Sequence, residues 1–281
     1  MRLGVQVSTA GGIQESISRA NSLGCNTMQI FSRDPRQWRK SRLSPEDIEH
    51  FKKLRKKSNI SPVFVHIPYL INLASPYGVL YKNSIKAYIE DIEETESLGA
   101  EYLVTHMGSH KKSGEEQGLK RITAALNKIL DRTKGSCVSI LLENTAGSGS
   151  WLGYKFEHQR AIIDGIEDKS RIGICLDTCH AYVSGYNLGT PQGYKETIAQ
   201  LDKIVGINRL KLIHLNDTKD KLASHRDRHE HIGRGKIGLE GFSRIINDRR
   251  LKNVPLILET PKDNEDADKI NLEIIKKLRK H

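Results

Sequence analysis

The sequence lacks the features of a secreted, disulfide-rich or membrane-embedded protein. Its four cysteines form no CxxC pair, and three of them lie in or beside apolar runs; they are Cys25, Cys137, Cys175 and Cys179. Free thiols in a reducing compartment explain that pattern most simply. No stretch approaches the roughly 18 consecutive apolar residues of a membrane span, and the first residues lack the charged and apolar segments of a secretory signal. We therefore expect a soluble, cytoplasmic protein that does not bind membranes.

The sequence also has fewer acidic than basic residues and shows no internal domain boundary. Lys and Arg number 45 against 34 Asp and Glu, which gives a formal net charge of +11. Such an excess favours an acidic partner, most commonly nucleic acid, although some proteins with lysine-rich surfaces bind none. No composition shift or linker divides the 281 residues. One α/β barrel typically has roughly 250 residues, so we expect a single domain over 1–281.

Short apolar runs alternate along the chain with longer amphipathic segments. Residues 3–7 form the first predicted strand and residues 28–31 the second, and a capping Ser44 before Pro45 predicts the start of a helix. Ile85, Ile89 and Ile92 recur further on at helical spacing. The whole pattern contains eight strand–helix units. Strands that alternate with helices build a parallel sheet, and eight of them close into a (β/α)8 TIM barrel.

Six consecutive predicted strands, from the third to the eighth, end in residue types that bind metals. They end in His66, His106, Glu143, Asp177, His214 and Glu259. An unpaired charge is costly to bury inside a strand, whereas the carboxyl ends of barrel strands form the active-site face. The pattern therefore predicts one site, which His180 can enter from the loop after Asp177. Asp227 and His229 can complete it from an insertion that runs to residue 238.

The nine candidate ligands are five imidazoles and four carboxylates, without a thiolate. This set suits zinc or manganese, and the high share of imidazole favours zinc. A catalytic zinc keeps about three protein ligands, so nine ligands suffice for three ions, or for two with larger ligand sets. Three divalent cations would exceed the carboxylate charge and attract an anion such as phosphate. Clustered metals also favour attack at phosphorus.

Nine in-order motifs resemble those of endonuclease IV, the metal-dependent apurinic/apyrimidinic endonucleases of base-excision repair. They cover residues 7–12, 36–39, 69–74, 108–110, 142–147, 176–180, 214–217, 227–229 with 232–233, and 258–261. The resemblance implies cleavage of double-stranded DNA 5′ to an abasic site, which leaves a 3′-hydroxyl and a 5′-deoxyribose phosphate. It also implies removal of blocking groups from 3′ ends, and we expect a monomer.

The resemblance further assigns the nine residues to a three-zinc site. His66, His106 and Glu143 would hold the first zinc. Glu143, the expected catalytic residue, would bridge to a second zinc that Asp177, His214 and Glu259 complete. The third zinc would have the remaining ligands, which are His180, Asp227 and His229. Gln6 departs from the histidine usual in the family.

Two loops and one glycine are the predicted DNA contacts. By the resemblance, Arg36 enters the minor groove beside Trp38, and Arg39 with Lys40 contacts phosphates. Tyr69 and Leu70 would fill the gap left by an extruded sugar, and Gly147 with Ser148 would keep one wall small enough for a bare deoxyribose. The alternatives are a solvated basic loop around a packed tryptophan and ordinary loop packing. Unstacking costs least where a base is missing, so the lesion itself favours binding.

Two other functions compete with the nuclease. A metal-dependent sugar isomerase or epimerase uses the same barrel, but it needs neither Asp227 and His229 nor a basic rim. A non-catalytic nucleic-acid-binding protein with a structural metal is the second alternative. Cleavage of an abasic duplex in the presence of zinc separates the nuclease from both.

Overall fold

A computed structural model describes residues 1–38 and 43–280 and contains an eight-stranded parallel sheet. The strands of this sheet are β1 (Leu3–Val5), β2 (Met28–Ile30), β3 (Val63–His66), β4 (Tyr102–His106), β5 (Ser139–Glu143), β6 (Ile172–Asp177), β7 (Leu210–His214) and β10 (Leu256–Leu258). Between β7 and β10, β8 (Asp217–Thr218) and β9 (His229–Glu230) form a short antiparallel hairpin.

Helices follow the strands along the chain. They are α1 (Glu15–Ser22), α2 (Pro45–Lys56), α3 (Gly78–Ser97), α4 (Glu115–Arg132), α5 (Phe156–Gly165), α6 (Thr178–Val183), α7 (Pro191–Ile204), α8 (Gly238–Asn247) and α9 (Ala267–Leu278). α2 begins as predicted, because the Ser44 side chain accepts a hydrogen bond from the Asp47 amide and Pro45 needs no amide partner. Among the described residues, no helix combines the length and apolar character that crossing a membrane requires.

The sheet closes on itself as a barrel. Its strand order is β1-β10-β7-β6-β5-β4-β3-β2, and the first and last strands meet through a parallel bridge between Gln6 and Gln29. The Val7 amide donates to the Gln29 carbonyl at 2.8 Å. The predicted (β/α)8 TIM barrel is therefore confirmed, with all carboxyl strand ends at one mouth.

The barrel interior is packed in layers. One buried layer contains Phe64, Val104, Leu141, Cys175, Leu212 and Ile257. Each of these residues lies two positions before one of the six predicted ligands at the strand ends. Because alternate residues of a strand share a face, the six ligands point into the barrel directly above this apolar layer.

Local structure differs from the predictions in four places. The first strand ends at Val5 rather than at residue 7, the second ends at Ile30 rather than at residue 31, and Glu259 follows β10 instead of ending it. The prediction that His180 lies in a loop is wrong, since His180 belongs to α6. The Asp177 carboxylate accepts the His180 amide at 2.7 Å and so starts this helix directly at the end of β6.

Candidate metal centre

The nine predicted ligands converge at the mouth of the barrel. Among the described residues, four groups have potential ligand atoms within 4.8 Å of one another; three consist of the nine predicted ligands alone, and the fourth adds Cys179 to Asp177 and His229. The three groups of predicted ligands are His66, His106 and Glu143; then Glu143, Asp177, His214 and Glu259; and then His180, Asp227 and His229. The grouping is the one that the sequence resemblance implies, and Glu143 belongs to two of the groups.

Glu143 lies at the centre of the cluster, 1 % exposed at the end of β5. Its Oε2 is 3.1 Å from His66 Nε2 and 3.3 Å from His106 Nε2. Its Oε1 is 3.1 Å from His214 Nδ1. The two carboxylate oxygens thus face two different sets of imidazoles, which is the arrangement that a bridging carboxylate needs.

The second group is the most deeply buried. His214 Nδ1 is 3.3 Å from Glu259 Oε2 and 4.0 Å from Asp177 Oδ2. Asn216 holds both carboxylates, because its Nδ2 donates to Asp177 Oδ2 at 2.7 Å and to Glu259 Oε2 at 3.4 Å. Asn144 pairs with the Asp177 backbone through both its amide nitrogen and its amide oxygen. The carboxylates are therefore oriented before any ion binds.

The third group combines α6 with the insertion. His180 Nε2 is 3.1 Å from Asp227 Oδ2, and His229 Nε2 is 3.3 Å from Asp227 Oδ1. The Asp227 side chain is 49 % exposed. His229 Nε2 is a buried atom with no hydrogen-bond partner in the described part of the chain. A cation between these side chains would satisfy that nitrogen.

The outer ring nitrogens of four imidazoles are hydrogen-bonded to carbonyl oxygens. Nδ1 of His66, His180 and His229 lies 2.7, 2.9 and 2.9 Å from the carbonyls of Ile67, Asn144 and Glu259. His214 uses Nε2 instead, 2.8 Å from Gln29 Oε1. A carbonyl can only accept, so each outer nitrogen carries the proton and the opposite nitrogen faces the carboxylates. Metal-binding histidines are oriented in this way in proteins, so the residues fit a metal centre.

The buried carboxylates of the cluster are stabilised by positive charge nearby. Burial disfavours the charged form of Glu143, but His106 and His214 outweigh burial and hold its pKa well below the usual 4.5. Burial likewise disfavours charged His180, yet Asp177 and Asp227 raise its pKa well above 6.5. Without a metal, protonated imidazoles thus supply the positive charge that the carboxylates require.

Two adjoining cavities open above the three groups. One of about 300 Å³ is bounded by Tyr69, His106 and Trp151 on one side and by the segment 145–148 on the other. The other, of about 230 Å³, lies towards Phe31 and Lys262. His180 and Asp227 line both cavities. A small polar group can therefore reach the candidate ligands directly from solvent.

The two loops with predicted DNA contacts follow the carboxyl ends of β2 and β3. The Arg36 side chain is 84 % exposed, and Trp38 and Tyr69 are 42 % and 57 % exposed. Tyr69 packs edge-on against Phe31, 5.5 Å between ring centroids, and Leu70 is half-buried. Arg39 and Lys40 lie outside the described residues.

Backbone conformation and crowding also require glycine at position 147, in addition to the small wall that the sequence suggested. Its φ of +76° suits glycine, and a Cβ at this position would lie 2.7 Å from the Tyr154 Cβ and 2.9 Å from His225 Nδ1. The glycine lines the larger cavity, but the crowding is behind the wall rather than inside the cavity.

Arg33 lies in the same loop as Arg36 and Trp38, but its side chain is not at the surface. Arg33 is buried and forms a bidentate ion pair with Asp91 of α3, at 2.8 and 2.9 Å. Its Nη1 also donates to the Gln37 carbonyl at 2.8 Å. Arg33 therefore ties the loop that carries Arg36 and Trp38 to the barrel.

Several neutral residues around the ligands were missed by sequence reasoning. Asn144 and Asn216 lie within the motifs that resemble endonuclease IV, close to ligand-type residues, and this position was their only signal. Gln29 was counted as part of an apolar strand. A polar residue between Met28 and Ile30 was the available sign that this position faces a polar site.

Comparisons with known proteins agree with the fold and identify the family. A family model described as xylose isomerase-like TIM barrel matches residues 17–281. A probable endonuclease 4 from Chloroflexus aurantiacus is 44 % identical over 278 residues, which cover 99 % of this chain and 98 % of that protein. The crystal structure of endonuclease IV from Thermus thermophilus superposes with a TM-score of 0.89 at 36 % identity, covering 99 % of this chain and 98 % of that one.

A D-tagatose 3-epimerase-like protein shares the fold alone, with a TM-score of 0.76 at 24 % identity over 99 % of this chain and 97 % of that one. The 44 % sequence identity to endonuclease 4 extends over nearly the whole chain. Together with the nine converging side chains, it is more specific evidence of family than this likeness of fold. The chain therefore belongs to the endonuclease IV family, among the xylose isomerase-like TIM barrels.

Proposed function

We propose that this protein is an apurinic/apyrimidinic endonuclease of base-excision repair. It hydrolyses the DNA phosphodiester 5′ to an abasic site and leaves a 3′-hydroxyl and a 5′-deoxyribose phosphate. It also removes blocking groups from 3′ ends. Residues 1–281 act as one nuclease domain, as a monomer in the cytoplasm. The supporting relatives are named endonuclease 4 and endonuclease IV.

The observation that carries the proposal is the orientation of the imidazoles at the barrel mouth. Four of them donate the N–H of their outer nitrogen to a carbonyl oxygen and turn the other nitrogen towards Glu143, Asp227 or Glu259. Core histidines that only fill space have no reason to share this orientation. The arrangement fits metal ions held between imidazole and carboxylate.

The proposed ions are three zincs, with manganese as the alternative at part of the site. His66, His106 and Glu143 hold the first, and Glu143 with Asp177, His214 and Glu259 holds the second. The third is held by His180, Asp227 and His229. Zinc at these positions supplies positive charge to a phosphodiester and increases the acidity of the attacking water.

Protein groups around the ions bind and orient the DNA. Arg36 and Trp38 contact the duplex from one loop, Arg39 contacts a phosphate, and Tyr69 with Leu70 fills the space left by the extruded nucleotide. The wall at Gly147 admits a sugar without a base into the cavity of about 300 Å³. Because a missing base lowers the cost of extrusion, this shape favours abasic DNA.

The decisive experiment is cleavage of a duplex with one defined abasic analogue, using protein reconstituted with zinc. We expect a single incision 5′ to the lesion, no incision of the matched undamaged duplex, and loss of activity after chelation. A 3′-phosphoglycolate duplex tests the end-cleaning activity. Absence of incision by zinc-loaded protein, or turnover of a ketose panel instead, would refute the proposal.

A further inference from the structure

On the β1 and β2 side of the barrel, two glutamines adjoin the candidate ligands. They are Gln6 and Gln29, which meet at the parallel bridge that closes the sheet. Gln29 is 0 % exposed, although it carries a polar carboxamide. A buried carboxamide without hydrogen-bond partners is costly. The partners of Gln29 therefore show what holds this amide in the barrel.

Gln29 makes contacts that connect the second ligand group. Its Oε1 lies 2.8 Å from His214 Nε2, and its Nε2 donates to Glu259 Oε1 at 2.7 Å. The same Nε2 donates its other proton to Gln6 Oε1 at 2.8 Å. Glu259 can only accept when ionised, so the nitrogen of the Gln29 amide must face Glu259 and its oxygen must face His214.

This orientation determines which ring nitrogen of His214 carries the proton. The Gln29 oxygen requires a proton on His214 Nε2, which leaves Nδ1 to face Glu143 and Glu259 at 3.1 and 3.3 Å. One neutral side chain therefore selects the nitrogen that an ion would meet and also holds one oxygen of Glu259. Gln6 restrains the nitrogen of the same amide, at the bridge that closes the barrel.

We propose that Gln29, restrained by Gln6, is a positioning residue of the metal centre that presents His214 Nδ1 and Glu259 to the second ion. The inference rests on the metal centre of the proposed function. It also gives a role to Gln6, the residue that departs from the usual family histidine. A glutamine oxygen at this position accepts the second Gln29 proton without adding charge beside Glu259.

The test is zinc retention by wild-type protein and by Gln29→Leu, measured by competition with a chelator and by ions per chain. Groups that orient metal ligands typically change metal affinity by about 10- to 100-fold, and we expect a loss in that range for the ion held by His214 and Glu259. Long-range ¹H–¹⁵N NMR of the zinc-loaded protein gives an independent reading. We expect a protonated, slowly exchanging His214 Nε2 that is lost in the variant.

Gln159→Leu is the matched control. Gln159 is another buried glutamine, 1 % exposed, and it donates to the Leu142 carbonyl from α5 without contacting a candidate ligand. We expect both this variant and Gln29→Leu to lose thermal stability in the metal-free state, but only Gln159→Leu to keep its zinc. Should Gln29→Leu fail to fold, Gln6→Met leaves the His214 contact in place and should weaken zinc retention in the same direction by less.

The outcomes are distinct. Wild-type zinc affinity in both Gln29→Leu and Gln6→Met would overturn the inference and leave the proposed function intact. Equal zinc loss in Gln159→Leu would also overturn it, because the effect would then be general destabilisation. Failure of the wild-type protein to bind zinc would overturn the metal centre and this inference together.

Discussion

The candidate site is built from two regions that are held in different ways. The six ligands at strand ends project from a hydrogen-bonded sheet onto an apolar layer, and Asp177 and His214 among them are 0 % exposed. Asp227 and His229 come from the insertion, outside the parallel sheet, and the Asp227 side chain is 49 % exposed. The first region is positioned by the barrel itself, whereas the second depends on how a long loop is anchored.

Asp217 anchors that loop. Its buried carboxylate accepts backbone amides from Thr218, Gly233, Gly235 and Ile237, at 2.8 to 3.0 Å. These contacts join the start of the insertion to its end and enclose the segment that carries Asp227 and His229. In this barrel, a buried carboxylate therefore holds the two ligands that the strand ends do not supply.

The largest effect should come from the centre of the strand-end region. Replacing Glu143 with Gln keeps the volume but removes the charge that faces both sets of imidazoles. We expect cleavage of abasic DNA to fall by several orders of magnitude while circular dichroism and DNA binding stay near those of the wild type. Glu240→Gln, an exposed change on α8, is the control and should cleave normally. Near-normal cleavage by Glu143→Gln would refute the assignment of Glu143.

A smaller effect should follow from loosening the insertion through Asp217→Asn. The amide nitrogen of Asn cannot accept the backbone amides, so part of the anchor is lost. We expect the protein to lose the ion at His180, Asp227 and His229 and to keep those at the strand ends, with cleavage reduced but measurable. Metal analysis per chain checks this. Simultaneous loss of all ions would show that the two regions are not separately held.

The Arg33 anchor allows stability and DNA binding to be separated. Removing one partner of a buried ion pair costs about 3–5 kcal/mol, so Arg33→Met should lower the free energy of unfolding by about that amount in urea titrations. It should also weaken DNA binding, because the loop with Arg36 and Trp38 loses its attachment to α3. The double variant Arg33→Met with Asp91→Leu should recover stability but not DNA affinity. Recovery of both would argue against an anchoring role.

The smallest effect concerns the pH dependence of the metal-free protein. The raised pKa values of His180 and His229 contribute stability that is complete below their ordinary 6.5 and is lost as the pH rises through the higher folded values. The lowered pKa of Glu143 contributes stability that is complete above 4.5 and is lost as the pH falls. We expect the melting temperature to be highest between these two values.

Zinc should change this profile, because metal binding releases the imidazole protons. We expect zinc to raise the melting temperature most at neutral to alkaline pH, where the metal-free protein has lost the contribution of its charged histidines. Thermal melts with and without zinc across the pH range check the prediction. A stabilisation by zinc that is greatest in acid would contradict it.

Much of the site followed from the spacing of residue types along the chain. Glu143 and Asp177 could be placed because each ends an apolar run, and strand parity then gave their direction. The role of Arg33 could not be predicted in this way, since an arginine in a basic loop is equally compatible with solvent, phosphate or a distant Asp91. The helical position of His180 was missed because α6 is only six residues long and depends on a cap from Asp177.

The sequence by itself therefore determined the barrel, the ring of ligand types at its strand ends and an excess of positive charge. These features depend on periodicity and composition, which are local properties of the chain. The tertiary structure alone decided which side chains hold the site in place. Gln29 orients His214, Asp217 anchors the insertion, and Arg33 anchors the loop that carries Arg36 and Trp38. Those choices depend on hydrogen bonds between residues far apart in the chain, and only closure of the barrel brings their donors and acceptors within reach.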